Sequence, residues 1–182
     1  MLSQTIPGTN IMFNEADDAF TILRPMIDIT GGFSLGQVCK ITGLQSSTIQ
    51  NWVKRKYIPS PVNKKYLERH ISRILMVSTL RDFIDIEDIG RLMYYINGDT
   101  EDESDDIISE SLLFDYYCRA IRTLDDTTLT ENNIDSIINN IIIDVDKDHK
   151  EKISIALKVM VYAYIAGECQ KQININLQHL RR

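Results

Sequence analysis

Glycine and proline are scarce in this 182-residue chain, at eight and four residues, which excludes collagen-like and loop-dominated architectures and leaves long stretches free to form helix. Cysteine is scarcer still. Cys39, Cys118 and Cys169 are isolated, odd in number and without CxxC or Cys–His ligand spacing, which argues against a disulfide framework and a structural zinc site. They read as buried thiols of a reducing cytoplasm. The N-terminus lacks a basic region followed by a long apolar run, so no signal peptide is expected. The most apolar later stretch, 153–167, is interrupted by Lys158 and falls short of the roughly 20 residues a membrane span needs. A soluble, cytoplasmic protein with no membrane partner is expected. His70, His149 and His179 stand apart, with no nucleophile motif, glycine-rich phosphate loop or paired metal ligands beside them, so neither an enzyme, a metal site nor a cofactor is expected.

What is present is a hydrophobic content of 43%, enough for a packed core in a chain of this length. Apolar residues recur mostly at three- and four-residue spacing, which predicts an all-α protein. The chain is acidic, at net −6, but the charge is segregated: 34–82 carries nine bases and two acids, a local +7, against −13 elsewhere. A basic surface on an acidic body is the electrostatic footprint of a nucleic-acid-binding module.

Residues 1–32 are poorly patterned, with Pro7-Gly8 and Pro25 as breakers and at most a short helix at 15–23. They read as an arm that packs loosely on the neighbouring unit and ends in a flexible Gly31-Gly32 turn. Ser34 and Gln37 form a capping-box pattern that opens a helix to about Thr42, where Gly43 stops it. Ser46 or Ser47 can cap a second helix to about Lys56, with Ile49, Trp52 and Val53 on one face. Two short helices across a glycine-containing turn are a helix-turn-helix pattern. Pro59 and Pro61 then force an extended loop over 57–63, the candidate wing.

A third helix is expected over 65–80 and a fourth from Asp85 to Gly98. The stretch 99–106 has six acids among eight residues and should be an exposed linker. Three further helical patterns lie beyond it, at 107–124, from cap Thr130, and at 148–173; their stripes should pack on one another or on a second subunit. The resulting division is an arm at 1–32, a DNA-binding domain at 33–98, a linker at 99–106 and a helical dimerisation or effector domain at 107–182.

The run Ser34-Leu35-Gly36-Gln37-Val38-Cys39-Lys40-Ile41-Thr42-Gly43-Leu44, the helix pattern Ser47-Thr48-Ile49-Gln50-Asn51-Trp52, Lys64-Lys65-Tyr66 and the spacing of 83–96 together resemble the MerR-like winged helix-turn-helix regulators. The match covers about a third of the chain. It departs from that pattern at Gln50, where arginine is usual, at Tyr57, where glycine is usual, and in a shorter wing. The whole chain is also similar to an uncharacterised bacterial family with a MerR-like N-terminal half. The resemblance implies a winged helix-turn-helix followed by a helical bundle, and transcriptional control by a homodimer on double-stranded DNA, with an effector of unknown identity.

Physically, the early residues of a recognition helix face base edges, where amides and hydroxyls can bond bases. Ser47, Thr48, Gln50 and Asn51 are such residues. Lys54, Arg55, Lys64 and Lys65 would neutralise phosphates, and the Tyr66 hydroxyl either bonds one or packs. Trp52, beside Ile49 and Val53, reads as the hydrophobic plug of the small domain. Tyr94, Tyr95, Tyr116, Tyr117, Tyr162 and Tyr164 read as core, or as the lining of an effector pocket. Two other classes of function fit the same pattern: a protein-interaction adaptor that keeps the helix-turn-helix shape, and an architectural or recombination-directing DNA binder.

Overall fold

The computed structural model describes residues 5–12, 18–124 and 130–180. Among the described residues the elements are eight helices: α1 (Ala19–Ile29), α2 (Leu35–Thr42), α3 (Ser46–Lys54), α4 (Glu68–Leu80), α5 (Ile86–Asn97), α6 (Glu110–Thr123), α7 (Glu131–Ile141) and α8 (Lys147–Leu180). Extended pairing among the described residues is limited to isolated bridges, including Phe33 with Tyr66 and Val62 with Lys65. The all-α expectation therefore holds.

The centre of the molecule is α6, which packs against α1, α4, α7 and α8. Its Leu113, Phe114, Tyr117, Cys118 and Ile121 are buried. Leu112, on the same helix, faces outward. The stripes of α6, α7 and α8 cover one another, as the amphipathic pattern requires. Because α4 also packs on α6 and α8, and α5 on α8, the apolar residues on both sides of 99–106 share one core.

The N-terminal residues correct the expectation of a loose arm. Ala19, Phe20, Leu23 and Ile27 are buried on one face of α1, Phe20 meets Phe114 edge-on with ring centroids 6.0 Å apart, and Arg119 donates to Asp18 at 2.8 Å through its Nε. Pro25 does not end this helix. It lies on the exposed face, where the carbonyl deprived of its bond can turn to water while the opposite face stays packed. Of the helix expected at 15–23, positions 15–17 lie outside the described residues. Gly32 is not a flexible joint either: at φ 95°, a Cβ there would come within 2.9 Å of the Leu67 side chain and 3.0 Å of Lys65.

The cysteines also separate. Cys118 is buried and Cys39 half-buried, but Cys169 is exposed on α8, so the expectation of three buried thiols is corrected. No cluster of His, Cys, Asp and Glu suited to a metal occurs among the described residues. No helix there is long and apolar enough to cross a membrane.

Candidate nucleic-acid interface

The short helix α2 is fixed at both ends. Ser34 Oγ accepts from the Gln37 N–H and Gln37 Oε1 accepts from the Ser34 N–H at 2.8 Å, completing the capping box. At its far end Gly43 takes φ 71° and donates to Cys39 O, a left-handed cap that turns the chain within three residues into α3. The cap of α3 corrects the sequence reading. Gln45 holds the cap position, with no side-chain bond, and Ser46 and Ser47 lie inside the first turn.

On α3, Ile49 and Trp52 face inward. Trp52 is 4% exposed and carries the Arg81 guanidinium 5.4 Å above its ring, which agrees with its role as a plug. The opposite face presents Ser47, Gln50, Asn51 and Lys54, all exposed, and Thr48, half-buried. The helix closes with Lys56 at φ 60°; Tyr57 N–H bonds Trp52 O and Lys56 N–H bonds Val53 O. This is a Schellman ending with lysine where glycine is the least strained residue.

The proline-containing loop returns as a tight hairpin. Val62 and Lys65 exchange N–H···O bonds of 3.0 and 2.8 Å, and Asn63 and Lys64 between them take φ 49° and 63°. Two consecutive positive φ values match the type I′ turn of two-residue hairpins. Tyr66 then pairs with Phe33 through bonds of 2.8 and 2.9 Å. That pairing is why α4 begins at Glu68, three residues later than the sequence suggests.

A residue that sequence reasoning passed over holds this loop. His70 is 2% exposed; its Nδ1 accepts from Leu67 N–H at 3.0 Å and its Nε2 lies 2.9 Å from Ser60 O. The acceptor at Nδ1 assigns the proton to Nε2, so the ring donates to Ser60. His70 also meets Tyr66 edge-on at 6.0 Å. The available signal was its position three residues into α4, where a side chain can reach back to the cap N–H.

The structure brings Gln50, Lys64 and Tyr66 together around one cleft of about 420 Å³ between α3 and the hairpin. Lys54 and Lys64 are exposed and form no ion pair among the described residues. Of the other expected phosphate contacts, Arg55 and Lys65 are engaged within the chain and Tyr66 is buried. Arg55 bonds Glu87 at 2.9 Å and stacks over Tyr57 at 4.9 Å. Lys65 Nζ donates to the carbonyls of Thr30 and Gly32, each at 3.1 Å. Tyr66 is only 4% exposed, and burial pushes its hydroxyl above the usual phenol range.

The acidic stretch is exposed as expected but is not a free linker. Glu101 accepts from the Ser60 N–H and Oγ at 3.2 and 3.0 Å, and Glu103 pairs with Arg69 at 2.6 Å. Arg73 is buried against Glu110, donating through Nε at 2.8 Å and through Nη2. Part of the +7 of the basic segment is therefore neutralised internally, and the exposed cationic face is narrower than composition implies.

Comparison with known proteins adds a domain but no activity. Residues 33–117 match the profile of a domain of unknown function, DUF1836. The matched stretch contains α2 to α5 and the first half of α6. The chain is also similar to the uncharacterized protein YkrK of Bacillus subtilis (strain 168), with 34% identity over 110 residues that cover 57% of this chain and 47% of that relative. It thus spans about half the length of that curated protein. No solved structure gives a significant match.

Proposed function

We propose that this chain is a sequence-specific DNA-binding regulator of the MerR-like winged helix-turn-helix type, acting as a homodimer. The observation that carries the reading is the outer face of α3. Ser47, Gln50, Asn51 and Lys54 are exposed there while Ile49 and Trp52 anchor the reverse face, and Lys64 stands across a cleft from Gln50. A nine-residue helix with amides facing outward and a cation on each flank suits a major groove between two phosphate strands. In this reading Lys54 and Lys64 contact phosphates, Gln50 and Asn51 read bases, and Arg55, Lys65 and Tyr66 position the parts that do. Lys64 occupies a backbone conformation that costs an L-residue about 1–2 kcal/mol relative to its ordinary range, and a charge kept at such a place is consistent with use.

The test is titration of duplex DNA, random and selected, at several salt concentrations. Lys54→Ala and Lys64→Gly should each weaken both duplexes and flatten the log–log salt slope by about 0.9 for every phosphate left without its cation. Glycine at 64 suits the turn, so the second variant removes charge without straining the hairpin. Gln50→Ala or Asn51→Ala should cost about 1–3 kcal/mol on the preferred site with little effect on random duplex. Absence of binding to any duplex at low salt would refute the reading and leave the adaptor.

A further inference from the structure

A cavity of about 760 Å³ lies between the end of α3, α5 and α8, lined by none of the residues of the cleft that Gln50 and Lys64 share. Its volume is that of a small-molecule site. Its charge is one-sided: Arg55, Lys56, Arg73, Arg91 and Lys152 line it against the single carboxylate of Glu87.

Three of these cations have anionic partners, Arg55 with Glu87, Arg73 with Glu110 and Arg91 with Asp88. Lys56 and Lys152 form no ion pair among the described residues, and both are exposed. They come from different elements, one just beyond the end of α3 and one on α8. The remaining wall is aromatic, with Tyr57, Tyr94 and Tyr95. Tyr94 is 69% and Tyr95 40% exposed, so neither is consumed by the core. Gly90 allows the Tyr57 ring to lie against α5, since a Cβ there would stand 3.3 Å from that ring. Lys152 Nζ sits 5.3 Å above the Tyr95 ring, placing an ammonium without an ion-pair partner among the described residues over a partly exposed aromatic ring.

From this juxtaposition we infer that the cavity binds a small aromatic anion, whose ring stacks on Tyr94 and Tyr95 and whose phosphate or carboxylate meets Lys56 and Lys152. Ring faces supply the apolar contact and the ammonium groups the charge-assisted bonds. A phosphate without a ring, or a ring without a charge, uses only half of the site. The inference stands apart from the DNA reading, because it is tested with no DNA present.

The experiment is calorimetric and NMR titration of the full chain with phenyl phosphate, with phenol and inorganic phosphate as controls. Phenyl phosphate is expected to bind saturably, in the millimolar range typical of a fragment of about ten heavy atoms, and at least about tenfold more tightly than either control. Lys152→Gln and Tyr95→Leu, both at the surface, should leave the melting temperature in place and each weaken binding about fivefold or more. Two results would overturn the inference: no saturable binding up to about 20 mM, above the affinity expected of such a fragment; or equal binding by the variants and the parent.

Discussion

At the scale of single residues, His70 shows how one side chain can set the geometry of a loop. Its ring ties the first turn of α4 to Ser60, and so to the segment that carries the hairpin. His70→Ala would leave a part-buried N–H and a part-buried carbonyl without their partner, at a cost of up to about 1–3 kcal/mol for each. His70→Gln should lose less, because glutamine at the third helical position can still accept from the Leu67 N–H. Denaturant unfolding of both variants checks this, and equal midpoints for Ala, Gln and the parent would dismiss the ring as a tie. The residue was legible in the sequence only as an isolated histidine. Its role depends on the Ser60 carbonyl, ten positions away, which the loop path alone brings within reach.

Helices were the more legible scale, and unevenly so. Ser34, Gln37 and Gly43 mark both ends of α2 because capping is local chemistry. The end of α3 was harder to read, since Lys56 takes a left-handed conformation where glycine would have advertised it. At α1, Pro25 suggested a break, yet the buried stripe of Ala19, Phe20, Leu23 and Ile27 prevailed through tertiary packing. The outer face of α3 could be anticipated from its amphipathic pattern. The capture of Lys65 by the carbonyls of Thr30 and Gly32, and of Arg55 by Glu87, could not, because those partners are distant in sequence.

The helix α8 extends beyond the core that supports it. Its buried face runs from Ile153 to Gly167, after which residues 169–180 are all exposed. A helical extension of this length is marginal in water on its own. Ile173, Leu177 and Leu180 fall on one stripe, at 51%, 44% and 82% exposure, and a second copy of the chain would cover it. Light scattering should report a dimer at micromolar concentration. Leu177→Glu should convert it to a folded monomer, by placing a charge in the covered stripe. A monomeric parent, with and without DNA, would rule the homodimer out.

For the molecule as a whole, the junction of α1 with α6 sets how stability responds to pH. Asp115 is 6% exposed and accepts from the Phe20 N–H at 3.0 Å. Burial pushes its carboxyl up to about 6 from an ordinary 3.8, opposed by that N–H, with Asp18 adding to the rise and Arg119 and Arg24 countering it. Asp106 is raised to about 6 as well, first by burial and then by Glu110. Between about pH 4 and 6 the folded state therefore binds protons that the unfolded state does not, and stability rises as pH falls through that window. Asp18 and Glu68 act in the opposite sense. Hydrogen bonds from Arg119 and Arg24 hold their carboxyls below the usual range, so their contribution is full above the ordinary carboxylate value and is lost only as pH falls below it. The expected maximum of stability therefore lies at the acid end of that window, between about pH 4 and 5. Asp115→Asn keeps an oxygen for the Phe20 N–H without the buried charge; it should melt higher than the parent at pH 7 and show a flatter dependence between pH 4 and 6. Melting curves at pH 5 and pH 7 decide the matter: a parent more stable at pH 7, or an Asn variant with the parent's slope, would mean that Asp115 is ionised at no cost in the folded protein.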